Sequence, residues 1–130
     1  MPGIDECLLE AMAVPGARGA SLVDWTSGLA LGTAGDSPVG DHETTAAETA
    51  ELARSAAEFD SFVAEGDIPS DGPPVEDLIV TTRAGYHVIR FVETSFDSSV
   101  FLHLWLDRDT GNLALARIRL RDLAERLVLG

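Results

Sequence analysis

The chain has 130 residues, and its 22 acidic against 9 basic side chains give a formal net charge of −13. A surface of that sign repels nucleic acid and anionic membranes, so neither is an expected partner. All nine bases are arginine, which removes lysine Schiff-base chemistry and the GxxxxGK[ST] phosphate loop, and the single cysteine, Cys7, can close no internal disulfide and suits a reducing cytoplasm. An apolar fraction of 45% and a charged fraction of 24% are those of an ordinary globular protein, and the length suits one domain over 1–130. The opening "MPGIDECLLEAMAVPG" lacks a basic n-region and is not read as a secretory signal, and no apolar run is long enough to span a bilayer.

In chain order, "IDECLLEAMA" (4–13) puts Ile4, Leu8, Ala11 and Met12 on one helical face, and Pro15-Gly16 stops that helix. "ARGASLVDW" and "LALGTAG" read as two short strands joined through Thr26-Ser27-Gly28, where the glycine can take positive φ, so 17–34 is a predicted hairpin. After the loop "GDSPVG", Asp41 is a good N-cap for a helix predicted to run to about Glu65. Seven alanines lie in it; Ala46, Ala50, Ala53 and Ala57 follow i, i+4, i+7, i+11 and form a thin apolar groove. Such a face either lies on the sheet or meets the same helix of a second subunit.

The segment 66–76 is a connection containing "GDIPSDGPP". Three predicted strands follow: 77–82, 86–92 and, after the loop "ETSFDS" (93–98), 99–106. The last is apolar along nearly its whole length, as a central strand covered on both faces should be. A helix over 113–128 ends the chain. Helix, hairpin, helix, three-stranded meander and helix assemble into a three-layer α/β/α sandwich. Charge is uneven along this order: 36–77 holds twelve acids and only Arg54, whereas 108–130 holds five arginines against three acids. That asymmetry reads as a solvated acidic helix and loop beside a slightly basic last helix.

The chemistry candidates are few. Asp107 and Asp109 in "LDRDTGNLALARIRL" (106–120) resemble half a calcium loop, but an EF-hand wants oxygen ligands at positions 1, 3 and 5, glycine at 6 and glutamate at 12. Counted from Asp107 these last three positions are Gly111, Asn112 and Ile118. The acids have no histidine or serine near them in sequence to make a catalytic set. Asp107, Asp109 and Gly111 are instead expected to turn the chain, with Asn112 capping the helix that begins at Leu113. His42 is expected at an exposed helix start. His87 and His103 lie in strands and meet only if those strands pair; with Cys7 they would make a thin metal set, and structural roles are favoured. No G-x-S-x-G elbow or G-x-G-x-x-G loop is present. No catalytic residue, metal or cofactor is expected, and the chain is not read as an enzyme.

The segments "VPGARGASLVDWTSGLAL" (14–31), "EDLIVTTRAGYHVIRFV" (76–92) and "VFLHLWLDRDTGNLALARIRL" (100–120), in this order, resemble the Roadblock / dynein light-chain family over nearly the whole chain. The resemblance implies a five-stranded antiparallel sheet in the order 2-1-5-4-3, the middle helix on one face and the two terminal helices on the other. It implies a homodimer in which the third strands pair edge to edge, through Leu78, Ile79, Val80 and Thr81, and the middle helices pack together, which would give the alanine groove its reason. Bacterial members commonly act beside small Ras-like GTPases as adaptors or regulators of hydrolysis, and are not themselves catalysts. An arginine completing a GTPase site in trans would come from Arg83, Arg117, Arg119 or Arg121, although surface arginines are the simpler reading. The expected function is therefore that of a cytoplasmic, non-enzymatic homodimeric adaptor or regulator of a Ras-like GTPase. The alternatives are an acidic dimeric chaperone for a client protein, which does not share this element order, and a profilin-like ligand-sensing domain, which would show a polar internal cavity.

Overall fold

A computed structural model of the chain describes residues 3–63, 66, 74–92 and 99–129. Its elements are α1 (Ile4–Met12), β1 (Ala17–Asp24), β2 (Leu29–Gly35), α2 (His42–Glu58), a 3-10 turn (Asp60–Phe62), β3 (Asp77–Thr81), β4 (Gly85–Val92), β5 (Val100–Asp107) and α3 (Leu113–Leu129). The five strands form one antiparallel sheet in the order β2-β1-β5-β4-β3, the order the resemblance implied.

The alternation of side chains along each strand divides the core in two. On one face Leu22, Val88, Leu102, Leu104 and Leu106 meet Leu8 and Ala11 of α1 and Ala116, Leu120 and Leu123 of α3. On the other, Val23, Ile89, Phe91 and Phe101 meet Ala46, Ala50 and Ala53 of α2. β5 is buried along its length save for Asp107, because it is central and covered on both sides. On α1, Cys7 joins Leu8 and Ala11 in the core while Ile4, placed on the inner face by its spacing, stays exposed.

The turns follow the chemistry read from the sequence. In the β1–β2 turn the Asp24 carboxylate accepts from the Thr26 amide at 2.8 Å, and Gly28 at φ +78° donates its amide to the Asp24 carbonyl oxygen at 2.8 Å. Between β5 and α3, Gly111 donates its amide to the Asp107 carbonyl oxygen at 2.9 Å, and the Leu115 amide donates to the Asn112 side-chain oxygen at 3.0 Å. Asp107, Asp109 and Gly111 therefore form a turn and Asn112 a helix cap. The α1–β1 turn lies across this one: Gly16, at φ +82°, accepts from the Asp107 amide at 2.8 Å, and a side chain on it would reach within 2.5 Å of the Gly111 Cα.

One boundary differs from expectation. α2 stops at Glu58, not near Glu65: Phe59 leaves the helix at ψ 126° and a single 3-10 turn follows. Glu58 and Asp60 bring negative charge to a helix end whose dipole is already negative, and no base lies in the last turn to offset it. The expected end at Glu65, most of the connection 66–76 and the loop 93–98 lie outside the described residues.

Candidate functional site

α2 packs chiefly on β1 and β2, so its sheet face is shared unequally. The alanine stripe is what holds it there. Ala46, Ala50 and Ala53 are buried against the sheet within the single chain, and Ala57 is half-buried at the margin of the same cluster, against which Leu78 of β3 also packs. Small side chains let the helix backbone lie low on the strands. The opposite side and the end of α2 carry exposed bulk instead: Leu52, then Phe59, Phe62 and Val63, with the two phenyl centroids 6.1 Å apart.

Among the described residues β3 is an edge strand with β4 as its single neighbour. Of the four residues expected at this edge, Ile79, Val80 and Thr81 are exposed and Leu78 is half-buried. Cross-strand register pairs Leu78 with Ile89 and Val80 with His87, which puts Leu78 and Val80 on the α2 side, while Ile79 pairs with Val88 on the α1–α3 side. The end of α2 and the β3 edge thus each expose apolar side chains.

The two strand histidines do meet. β4 and β5 pair so that His87 faces Trp105 and His103 faces Ile89, and His87 Nδ1 lies 2.9 Å from His103 Nε2. Their rings stack at a centroid distance of 5.2 Å, His87 also stacks on Trp105, and the Arg18 guanidinium sits 4.0 Å above the Trp105 ring. Burial drives the His103 pKa down to about 3, helped by its histidine neighbours, and burial also lowers that of His87. One ring must offer a lone pair to the other, and burial disfavours a charge on either. Beside it Ser21, Asp36, His42, Thr45 and His103 line a crevice of about 10 Å³, room for a single water and too small for an organic ligand.

Among the described residues no three of His, Cys, Asp and Glu are grouped to hold a metal ion. Cys7 lies in the other core, its thiol pushed up to about 11 chiefly by burial. His42 is not free at the helix start: its Nε2 donates to the Gly35 carbonyl oxygen at 3.0 Å. Asp41 next to it caps α2, accepting from the Glu43 amide at 3.1 Å, and its carboxyl is held below the usual range by the Thr44 hydroxyl and that amide. The arginines considered for action in trans are dispersed. Arg117 holds Asp77 at 3.1 Å, Arg121 is 3.8 Å from Asp122, and Arg83 is exposed on the β3–β4 turn. Among the described residues no helix is long and apolar enough to cross a membrane.

Neither a family model nor a curated protein matches the sequence. Solved structures do match the fold. MglB of Myxococcus xanthus superposes with a TM-score of 0.70 at 19% identity, covering 97% of this chain and 82% of that one. A Roadblock/LC7 domain from Streptomyces avermitilis gives 0.62 at 20% identity over 90% and 87%. MglC of Myxococcus xanthus gives 0.58 at 20% identity over 97% and 93%. Sheet order, the division of the helices between two faces and these superpositions agree that the chain has the Roadblock/LC7 fold.

Proposed function

We propose that the chain is a non-enzymatic homodimeric adaptor or regulator that binds a small Ras-like GTPase. The observation that supports the dimer is the exposed apolar side chains of the β3 edge and of α2 and its end. α2 leaves the β3 side of that sheet face open, where Leu78 and Val80 lie, and Leu52 on its outer side with Phe59, Phe62 and Val63 at and after its end are exposed as well. A two-fold axis at the β3 edge lets Leu78–Thr81 pair with the same segment of a second copy and brings the two α2 helices side by side, which removes an open edge and covers the exposed rings. Ala57, at the margin of the stripe, meets the second copy directly in this arrangement. Ala46, Ala50 and Ala53 keep α2 low enough on the sheet for its neighbour to fit.

The GTPase partner rests on fold-level analogy with the Roadblock family and on no side chain of this molecule. Its test is a titration calorimetry or pull-down experiment with a Ras-like GTPase from the same organism, loaded with GDP and with a non-hydrolysable GTP analogue. Binding in one state in preference to the other supports the reading. Absence of binding in both states contradicts it.

A further inference from the structure

The large exposed apolar residues fall into two main groups. Leu52, Phe59, Phe62, Val63 and Val80 lie on α2, just after it, or on the α2-facing side of β3, and Ile79 lies on the other side of that strand. Ile4 and Leu9 on α1 and Leu29 and Leu31 on β2 are exposed at the opposite edge of the sheet, where β2 has β1 as its single neighbour among the described residues. Leu9 is 66% exposed, Leu29 64% and Leu31 49%. α1 lies over this edge: the Cβ position of Gly32 falls 2.6 Å from Ile4 Cγ2 and 3.9 Å from Asp5 Oδ1. Leu9, one helical turn beyond Asp5, is on the same side of α1.

Edge strands are ordinarily blunted by charges, proline or a covering element. β2, "LALGTAG", carries no charge and no proline. The Asp36 amide donates to the Arg18 carbonyl oxygen at 2.8 Å, which sets the phase of the ladder. Ala34 and Gly32, two and four residues back, then bond inward to Ala20 and Leu22, and Thr33 and Gly35 point their backbone groups away from β1. The Gly35 carbonyl is taken by His42; the amide and carbonyl of Thr33 face outward. A bulge between Leu29 and Gly32 leaves Leu31 without a cross-strand partner.

The rim of this edge is negative. Asp5 stands on the α1 side. On the α2 side the Cα of Ala47 is 3.9 Å from the Cβ position of Gly28, and Glu43 and Glu51, four residues to either side of Ala47, are exposed on the same helical stripe. From these observations we infer that the β2 edge is a docking site for an extended basic segment of a partner protein, added to the sheet as a further strand. Main-chain bonds to Thr33 supply the register, Leu9, Leu29 and Leu31 take apolar side chains from alternate positions, and Asp5, Glu43 and Glu51 attract arginine or lysine between them. A second copy of this chain is excluded from the same role by its own charge, since pairing two β2 edges would bring the acidic rims together. The site is independent of the β3 edge and stands whether the chain is monomeric or dimeric.

The probe is a short synthetic peptide alternating valine and arginine, capped at both ends. It is compared with the same peptide bearing glutamate for arginine and with one bearing a central proline. Amide chemical-shift changes on titration are expected at 29–35 and along the outer side of α1. Affinity should fall at least about tenfold for the glutamate and proline peptides. Thr33→Pro removes an outward donor without touching the ladder to β1, and Leu31→Arg places a cation at the edge; each should weaken the valine–arginine peptide to the same degree. Should Thr33→Pro fail to fold, Leu31→Arg decides alone. No shifts at about 1 mM peptide, shifts confined to α2 and β3, equal binding of the proline peptide, or self-association through 29–35 would each overturn the inference.

Discussion

His87 Nδ1 and His103 Nε2 lie 2.9 Å apart on adjacent strands, and among the described residues no carboxylate is bonded to either ring. Both pKa values are depressed by burial, that of His103 from 6.5 to about 3. A histidine whose folded-state pKa is lowered is neutral in the fold and charges more readily when unfolded. Its contribution is complete above pH 6.5 and is lost as pH falls toward 3, because the unfolded chain takes up the proton first. Urea denaturation at pH 7.5, 6.0 and 5.0 should show stability falling by about 1.4 kcal/mol per pH unit for each extra proton bound by the unfolded chain. His103→Phe should flatten that slope. A stability profile level from pH 7.5 to 5.0 in the parent protein would refute the account.

Gly16 and Gly111 meet where the α1–β1 turn crosses the β5–α3 turn, and Gly16 holds φ +82°. An alanine at Gly16 combines an unfavourable backbone region with a collision against the Gly111 Cα. Gly16→Ala should cost about 2–3 kcal/mol in chemical denaturation. Alanine at Gly40, also at positive φ but with nothing within 4 Å of its Cβ position, should cost less. Equal losses at the two sites would mean that the crossing is not tight.

Asn112 caps α3 through its bond to the Leu115 amide, and Asp41 caps α2 through the Glu43 amide. Asn112→Ala and Asp41→Ala should each lower stability by about 1 kcal/mol. Asp109→Ala, whose side chain makes no bond in the turn, should change it by less than about 0.5 kcal/mol. A large loss at Asp109 would return a functional role to that carboxylate.

Much of this architecture is legible before any coordinates. The β5 run from Val100 to Leu106 can only be a central strand, and the Asp107–Asn112 turn and the Asp41 cap follow from residue chemistry. The meeting of His87 and His103 is not legible, because the six residues 93–98 between the two strands are too many to fix the β4–β5 register as a two-residue hairpin would. The alanine stripe of α2 reads equally well as a surface for the sheet or for a second helix, since small residues permit either close approach; the sheet contact is visible only once α2 is placed on Val23, Ile89 and Phe101. The end of α2 at Glu58 depends on charges opposing the helix dipole, which no break in composition announces. That Leu9 and the β2 leucines share one edge of the sheet is visible only when α1 is laid over β2.

The dimer is the claim on which the proposed function stands. Arginine at Ala50 or Ala53 would test folding and not association, since both are fully buried within the chain. Leu52→Glu with Val80→Glu alters exposed positions on α2 and β3 and leaves the core intact.

Light scattering coupled to size-exclusion chromatography of the parent and this double variant, at micromolar concentration, tests the claim most directly. The parent should elute at twice the mass of the chain and the double variant at once that mass, with unchanged circular dichroism. A parent that is monomeric, or a double variant that remains dimeric, would contradict the account.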